Sequence, residues 1–138
     1  MMSKKIILFL LLVTIAIVFY YSWQSDPSLE NNTYLPQWLL KWSNEYYNLR
    51  TAIPFLAVGF LLEAYSQYKG IYEMDYNQKA RFFQNIGIAT IIAFVAEGGQ
   101  FLIQSRSPDL MDVFYATIGS LIGGLGYYMF SMLFNSNR

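Results

Sequence analysis

"AEGGQFLIQSRSPDLMDV", residues 96–113, sets Glu97, Gln100, Gln104, Arg106, Asp109 and Asp112 between two long apolar runs. The fold turns on why so many polar groups meet there. The chain as a whole is 55% hydrophobic, 19% aromatic and only 13% charged, with a positive mean hydropathy. That balance is unusual for a soluble domain and points to lipid as the solvent. The apolar residues fall into four blocks, residues 6–23, 52–68, 82–103 and 110–134. Each is close to the ~20 residues that cross a hydrocarbon core of ~30 Å. The sequence therefore predicts an all-α membrane protein, one four-helix domain over residues 1–138, and the quoted stretch joins its last two spans by a short turn.

The first block follows Lys4 and Lys5 and so shares the basic-then-apolar pattern of a secretory signal. "FYYSWQSDP" after it is bulky and aromatic where a signal peptide needs small residues, and the apolar core is too long, so it reads as a retained helix. Orientation follows from the basic residues. Lys4, Lys5, Lys69, Lys79, Arg81 and Arg138 fall on one side of such a bundle, Lys41, Arg50 and Arg106 on the other. The excess marks the cytoplasmic side, so both termini are expected in the cytoplasm, with residues 24–49 and 104–109 outside.

Residues 24–49 carry a pattern of their own. Leu35, Trp38, Leu39, Trp42, Tyr46 and Leu49 recur at helical spacing, and Pro36 suits a first turn. This predicts a short helix lying in the membrane interface; the alternative is a loop whose aromatics pack on the bundle. The chain has neither cysteine nor histidine, so disulfides and the usual zinc ligand sets are excluded although a carboxylate-bound cation is not; no cofactor or metal is expected. Phosphate loops, nucleophile elbows and histidine-based triads are likewise missing from the sequence, and zero net charge with scattered basic residues argues against nucleic acid as a partner.

At 100° per residue, Thr90, Ala93, Glu97, Gln100 and Gln104 share one face of the third span. Asp109, Asp112, Ala116, Gly119 and Gly123 share one face of the fourth, so carboxylates at the outer end lead into a stripe of small residues suited to close helix packing against the third span. In the turn, Ser107 is placed as an N-cap with Pro108 as the first helical residue, and Asp109 and Asp112 lie near the positive end of the helix dipole. Asp109 fits a capping role, and Arg106 either snorkels to the headgroups or faces a ligand. Glu97, nine residues before Arg106, would lie within the outer leaflet, where an unpaired carboxylate costs roughly 2.5 kcal/mol or more. It serves a ligand or makes a structural hydrogen bond, to Asp112, to Ser120 or to a tyrosine. Glu63, near the other membrane face, is expected to be held by Lys69, Lys79 or Arg81.

Glu97-x-x-Gln100, then Arg106-Ser107-x-Asp109-x-x-Asp112, then Gly119 and Gly123, resemble the C-terminal signature of the VanZ-like family, small bacterial membrane proteins. The named member is associated with low-level resistance to teicoplanin, a lipid-bearing glycopeptide, so the resemblance implies a role in the cell envelope. The chain departs from the family pattern where an asparagine is usual, at Ala116, and where a histidine is usual, at Ile53 or Pro54. Acid–base chemistry by that histidine is closed to this protein.

Three functions are compatible with these residues. The first is a non-enzymatic envelope protein that binds a lipid headgroup or lipid-linked cell-wall compound through Glu97, Gln100, Arg106, Asp109 and Asp112. The second is a membrane-embedded enzyme with Glu97 or Asp112 as acid or base and Arg106 on a phosphate. The third is a scaffold subunit, with a homo-oligomer or another membrane protein as partner.

Overall fold

The computed structural model describes residues 2–25, 28, 33–70 and 77–135. Among them the chain forms α1 Lys4–Ser22, α2 Gln37–Glu45, α3 Tyr47–Gly70, α4 Gln78–Gln100 and α5 Leu110–Asn135, with no strands. Parts of the expected outer loop, residues 26–27 and 29–32, lie outside the described residues, as does Arg138. Four of the helices run 19 to 26 residues, and at ~1.5 Å per residue each covers a hydrocarbon core.

Beside a core of Leu11, Phe55, Val58 and Leu62, this bundle buries polar groups and exposes many large apolar ones. Glu63 and Ser120 have no exposed surface, and Gln100 has 2%, whereas Leu133 is 68% and Phe9 65% exposed. Lipid selects such an outer surface, because tails solvate Leu and Phe while polar groups must find partners inside. The chain is a multi-pass membrane protein.

Local chemistry sets most helix ends. The Ser3 hydroxyl accepts from the Ile6 N–H at 3.4 Å to start α1, and the Asn77 side chain accepts from the Lys79 N–H at 3.0 Å to start α4. Tyr46 forms the corner between α2 and α3. Its N–H donates to Trp42 while its carbonyl accepts from Arg50, and its ψ of 59° breaks the helical path. The expected interfacial helix is therefore shorter than the apolar spacing suggested: Leu49 belongs to α3. The third span also ends early, at Gln100 rather than residue 103. After Gly98 and Gly99, whose missing side chains weaken a helix, Phe101, Leu102 and Ile103 donate to carbonyls three residues back and wind into a tighter turn.

The small stripe on α5 packs on α3, not on α4 as the sequence suggested. A Cβ on Gly59 would overlap the Ser120 backbone, one on Gly119 the Ala52 carbonyl oxygen, and one on Gly123 the Leu56 carbonyl oxygen. Helical periodicity identifies the face of α5 but not the helix that meets it. The contact between α4 and α5 runs instead through Thr90 and Thr117, whose hydroxyls are 3.0 Å apart.

The end of the bundle away from the 101–109 loop is tied by Glu63. Its Oε2 accepts from Asn85 Nδ2 at 2.7 Å, Arg81 Nε lies 3.7 Å from Oε1, and the Ser66 hydroxyl donates to Asn85 Oδ1 at 3.0 Å. Of the three basic residues expected to hold Glu63, Arg81 does so; Lys79 is exposed, and the Lys69 side chain lies outside the described residues.

Gly123→Ala is expected to lower the thermal midpoint, with an overpacking cost of ~1 to 3 kcal/mol. Gly126→Ala, where an added Cβ meets nothing within 4 Å, should gain roughly 0.5–1 kcal/mol from helix propensity. Thermal unfolding in detergent compares the two, and equal midpoints would show that α3 and α5 are not in backbone contact.

Candidate functional site

At the end of the bundle that carries the 101–109 loop, all five helices line one cavity of about 270 Å³. Each helix contributes a single face. From α3 come Tyr47, Arg50, Thr51, Pro54 and Phe55, an i, i+3, i+4, i+7, i+8 series; from α4 come Ala93, Ala96, Glu97 and Gln100; from α5 come Asp112 and Ala116. Ile17, Val18, Tyr21 and Ser22 of α1 form another wall, and Arg106 reaches in from the loop.

The roof is α2. Leu39, Leu40, Trp42 and Ser43 line the cavity while Trp38 is 71% exposed on the other side. Among the described helices α2 packs only on α3, and Arg50 ties it there by donating to the Ser43 hydroxyl at 3.3 Å. The same guanidinium lies 4.2 Å from the Tyr47 ring centroid, a cation–π arrangement that holds the side chain over the cavity.

Three of the residues singled out in the sequence, Glu97, Gln100 and Asp112, are buried in the cavity wall. Arg106 is half-buried in the same wall. Asp109 is exposed and does not line it. Gly119 and Gly123 lie further along α5, in its contact with α3.

Glu97 bonds to none of the expected partners. Its Oε1 accepts from Gln100 Nε2 at 3.1 Å and its Oε2 from the Asp109 N–H at 3.0 Å. Because α4 stops at Gln100, Glu97 sits in the last turn and reaches across to the chain entering α5, closing the loop over itself. The α5 cap also differs from the expected one. The Asp109 side chain accepts from the Met111 N–H at 2.9 Å, so Asp109 is the N-cap, and Ser107 and Pro108 precede the helix. Asp is the stronger anchor because its charge also faces the positive end of the helix dipole. Asp112 accepts from the Thr51 hydroxyl at 3.2 Å, which joins α5 to α3 at the cavity.

Gln100 extends the network to α1. Its amide donates to Ser22 Oγ at 3.0 Å, while Ser22 Oγ and Trp23 Nε1 donate to the Ala96 carbonyl at 3.2 and 2.9 Å. Gly99 is what lets the indole approach, since a Cβ there would overlap Trp23 Nε1.

Residue-by-residue reading of the sequence missed Arg50, Thr51, Ser43 and Ser22. The signal for the first two was present: polar residues at 47, 50 and 51 continue at helical intervals into Pro54 and Phe55. Ser43 and Ser22 carry no such signal, because they become site residues only through contacts with distant helices. Among the described residues no group of three or more His, Cys, Asp or Glu side chains converges to hold a metal ion.

The family profile described as VanZ/LLP1 matches residues 6–131. The chain belongs to the VanZ/LLP1 family. No curated protein and no solved structure matches. The match takes in every residue that lines the cavity. At the two departures from the VanZ pattern, Pro54 and Ala116 both line the cavity and Ile53 is 47% exposed. In this VanZ/LLP1 protein those positions place apolar surface beside the polar cluster. Pro54 also lacks an N–H, so it removes one bond from the α3 ladder at the level of the cavity.

Replacing Asp109 by alanine is expected to lower stability by ~0.5–2 kcal/mol through loss of the cap, with Ser107→Ala close to neutral. Thermal midpoints of the two variants measure this, and the reverse order would return the cap to Ser107.

Proposed function

We propose that this VanZ/LLP1 protein binds, without a chemical reaction, the headgroup end of a membrane lipid or lipid-linked cell-wall compound in the cavity roofed by α2. We place that cavity at the outer leaflet of a bacterial cytoplasmic membrane. The observation that carries the reading is the cavity's mixed lining. Glu97, Gln100, Asp112, Arg50 and Arg106 line it together with apolar Ile17, Val18, Leu39, Leu40 and Phe55. A pocket with a few convergent polar groups in an apolar lining suits a molecule with one polar end and a hydrocarbon remainder. Attachment of α2 to α3 alone leaves its other edge as the route from the bilayer. By holding such a compound the protein would lower susceptibility to a lipid-bearing glycopeptide such as teicoplanin.

The orientation rests on the six-to-three distribution of Lys and Arg, with both termini cytoplasmic. A cysteine at Ser105, an exposed position in the 101–109 loop, is expected to react with a membrane-impermeant reagent added outside intact cells. Labelling only after the cells are opened would reverse the topology.

The functional test uses Arg106, because Glu97→Gln is not a change of charge alone. An amide at 97 keeps one acceptor oxygen for two donors, Gln100 and the Asp109 N–H, so that variant loosens the loop as well. Arg106→Gln at wild-type abundance should lose the protection against teicoplanin that expression of the wild type confers. Full protection by that variant at wild-type abundance would overturn a ligand role for this wall of the cavity.

A further inference from the structure

The cavity lining sets groups that only accept hydrogen bonds beside one that only donates them. Glu97 is bonded by an amide and a backbone N–H, and Asp112 by the Thr51 hydroxyl. These donors are neutral and leave both carboxylates their charge. A carboxylate has about four acceptor sites; among the described residues Glu97 uses two of them and Asp112 one. Arg106, whose guanidinium only donates, lines the same cavity from the loop, near enough to attract both carboxylates. It is bonded to neither. Among the described residues its guanidinium makes no hydrogen bond and no ion pair, whereas Arg81, toward the other end of the bundle, comes to 3.7 Å from Glu63. Three aromatic side chains, Tyr21, Trp42 and Tyr47, line the cavity with these charged groups.

We infer that the polar end of the ligand is an uncharged sugar, so that the compound is a glycolipid whose hexose lies between Arg106 and the two carboxylates. This rests on the proposed binding of an amphipath and names its polar group. A hydroxyl both donates and accepts, so neighbouring hydroxyls on one ring donate to Glu97 or Asp112 while accepting from Arg106, and each such bond is strengthened by the charge on the protein side. A charged headgroup matches only half of this lining. Phosphate placed at Arg106 also meets the like charges of Glu97 and Asp112, and an ammonium placed at the carboxylates also meets Arg106, in a site where charges are poorly screened. The aromatic lining suits the rest of a hexose. The C–H groups on one face of the ring are weakly positive and make no ordinary hydrogen bonds, and they pack on the negative face of an aromatic ring; Trp42 brings an indole to the cavity from the roof. At about 270 Å³ the cavity is at the small end of ligand sites, which run roughly 300–1,000 Å³, a size for one sugar ring and not for an oligosaccharide.

Native mass spectrometry of the full chain in an uncharged polyether detergent, which carries no sugar of its own, tests the inference. The protein is titrated separately with monoglucosyl- and monogalactosyldiacylglycerol, with phosphatidylglycerol and diacylglycerol of the same tails, and with the two free hexoses. At least one glycolipid should bind well above all the others. Arg106→Gln should weaken that glycolipid roughly tenfold, the effect of losing a charge-assisted hydrogen bond, and leave diacylglycerol unchanged. Trp42→Leu, which keeps the roof apolar and removes the ring, should weaken the glycolipid as well. If phosphatidylglycerol or diacylglycerol binds as tightly as the better glycolipid, or if both variants are folded and keep wild-type affinity for it, the sugar site is wrong while amphipath binding stands. If a free hexose binds as tightly as its glycolipid, the tail takes no part, and the lipid reading of the cavity fails. If no compound binds, the inference and the proposed function fail together. Should neither variant fold, by its thermal midpoint, the wild-type ranking of the lipids decides.

Discussion

The close approach of α3 and α5 is the constraint on which the rest of the bundle depends. In lipid, apolar side chains gain nothing by turning inward, so helix association draws on dispersion between backbones and on polar contacts at short range. Gly59, Gly119 and Gly123 supply that proximity, since a single added methyl at any of them would strike the facing backbone. Once these helices touch, the rotation of α5 about its own axis is set. Asp112 and Ala116 continue the glycine face toward the loop end, which brings Asp112 to Thr51 and turns Ala116 into the cavity.

The bundle carries buried carboxylates toward both of its ends, and they are handled differently. Glu63 has Arg81 beside it and Asn85 as a donor, so its charge is compensated where it lies and α3 is fastened to α4. Glu97 is held by neutral N–H donors, one of which is the backbone of the chain entering α5. Such bonds satisfy the oxygens of the carboxylate and leave the nearby arginines out of ion pairs with it.

The four spans, the short helix between the first two and the face shared by Glu97 and Gln100 were legible in the sequence through length and periodicity. The errors share one physical origin. Periodicity reports which residues lie on one face of a helix, and it is silent about what that face meets. It therefore assigned the Gly119–Gly123 face to α4, extended α2 through Leu49 although Tyr46 turns the chain, and carried α4 past the Gly98–Gly99 pair. The cap moved from Ser107 to Asp109 because both residue types suit the role and the competition was decided by where the loop closes on Glu97.

What the sequence by itself determined is therefore local or statistical: four stretches long and apolar enough to cross a bilayer, membership of the VanZ/LLP1 family, the absence of His and Cys, and the gathering of polar residues at 96–113. Each of these follows from composition and spacing along one segment. Only the tertiary structure decided that α2 roofs a cavity, that Arg50 and Arg106 share its wall, and that Ser22 and Gln100 join α1 to α4. Those facts relate residues separated by up to 78 positions in the chain. Their pairing depends on how each helix is rotated against its neighbours, which is set by the fit of backbones and hydrogen bonds across the whole bundle.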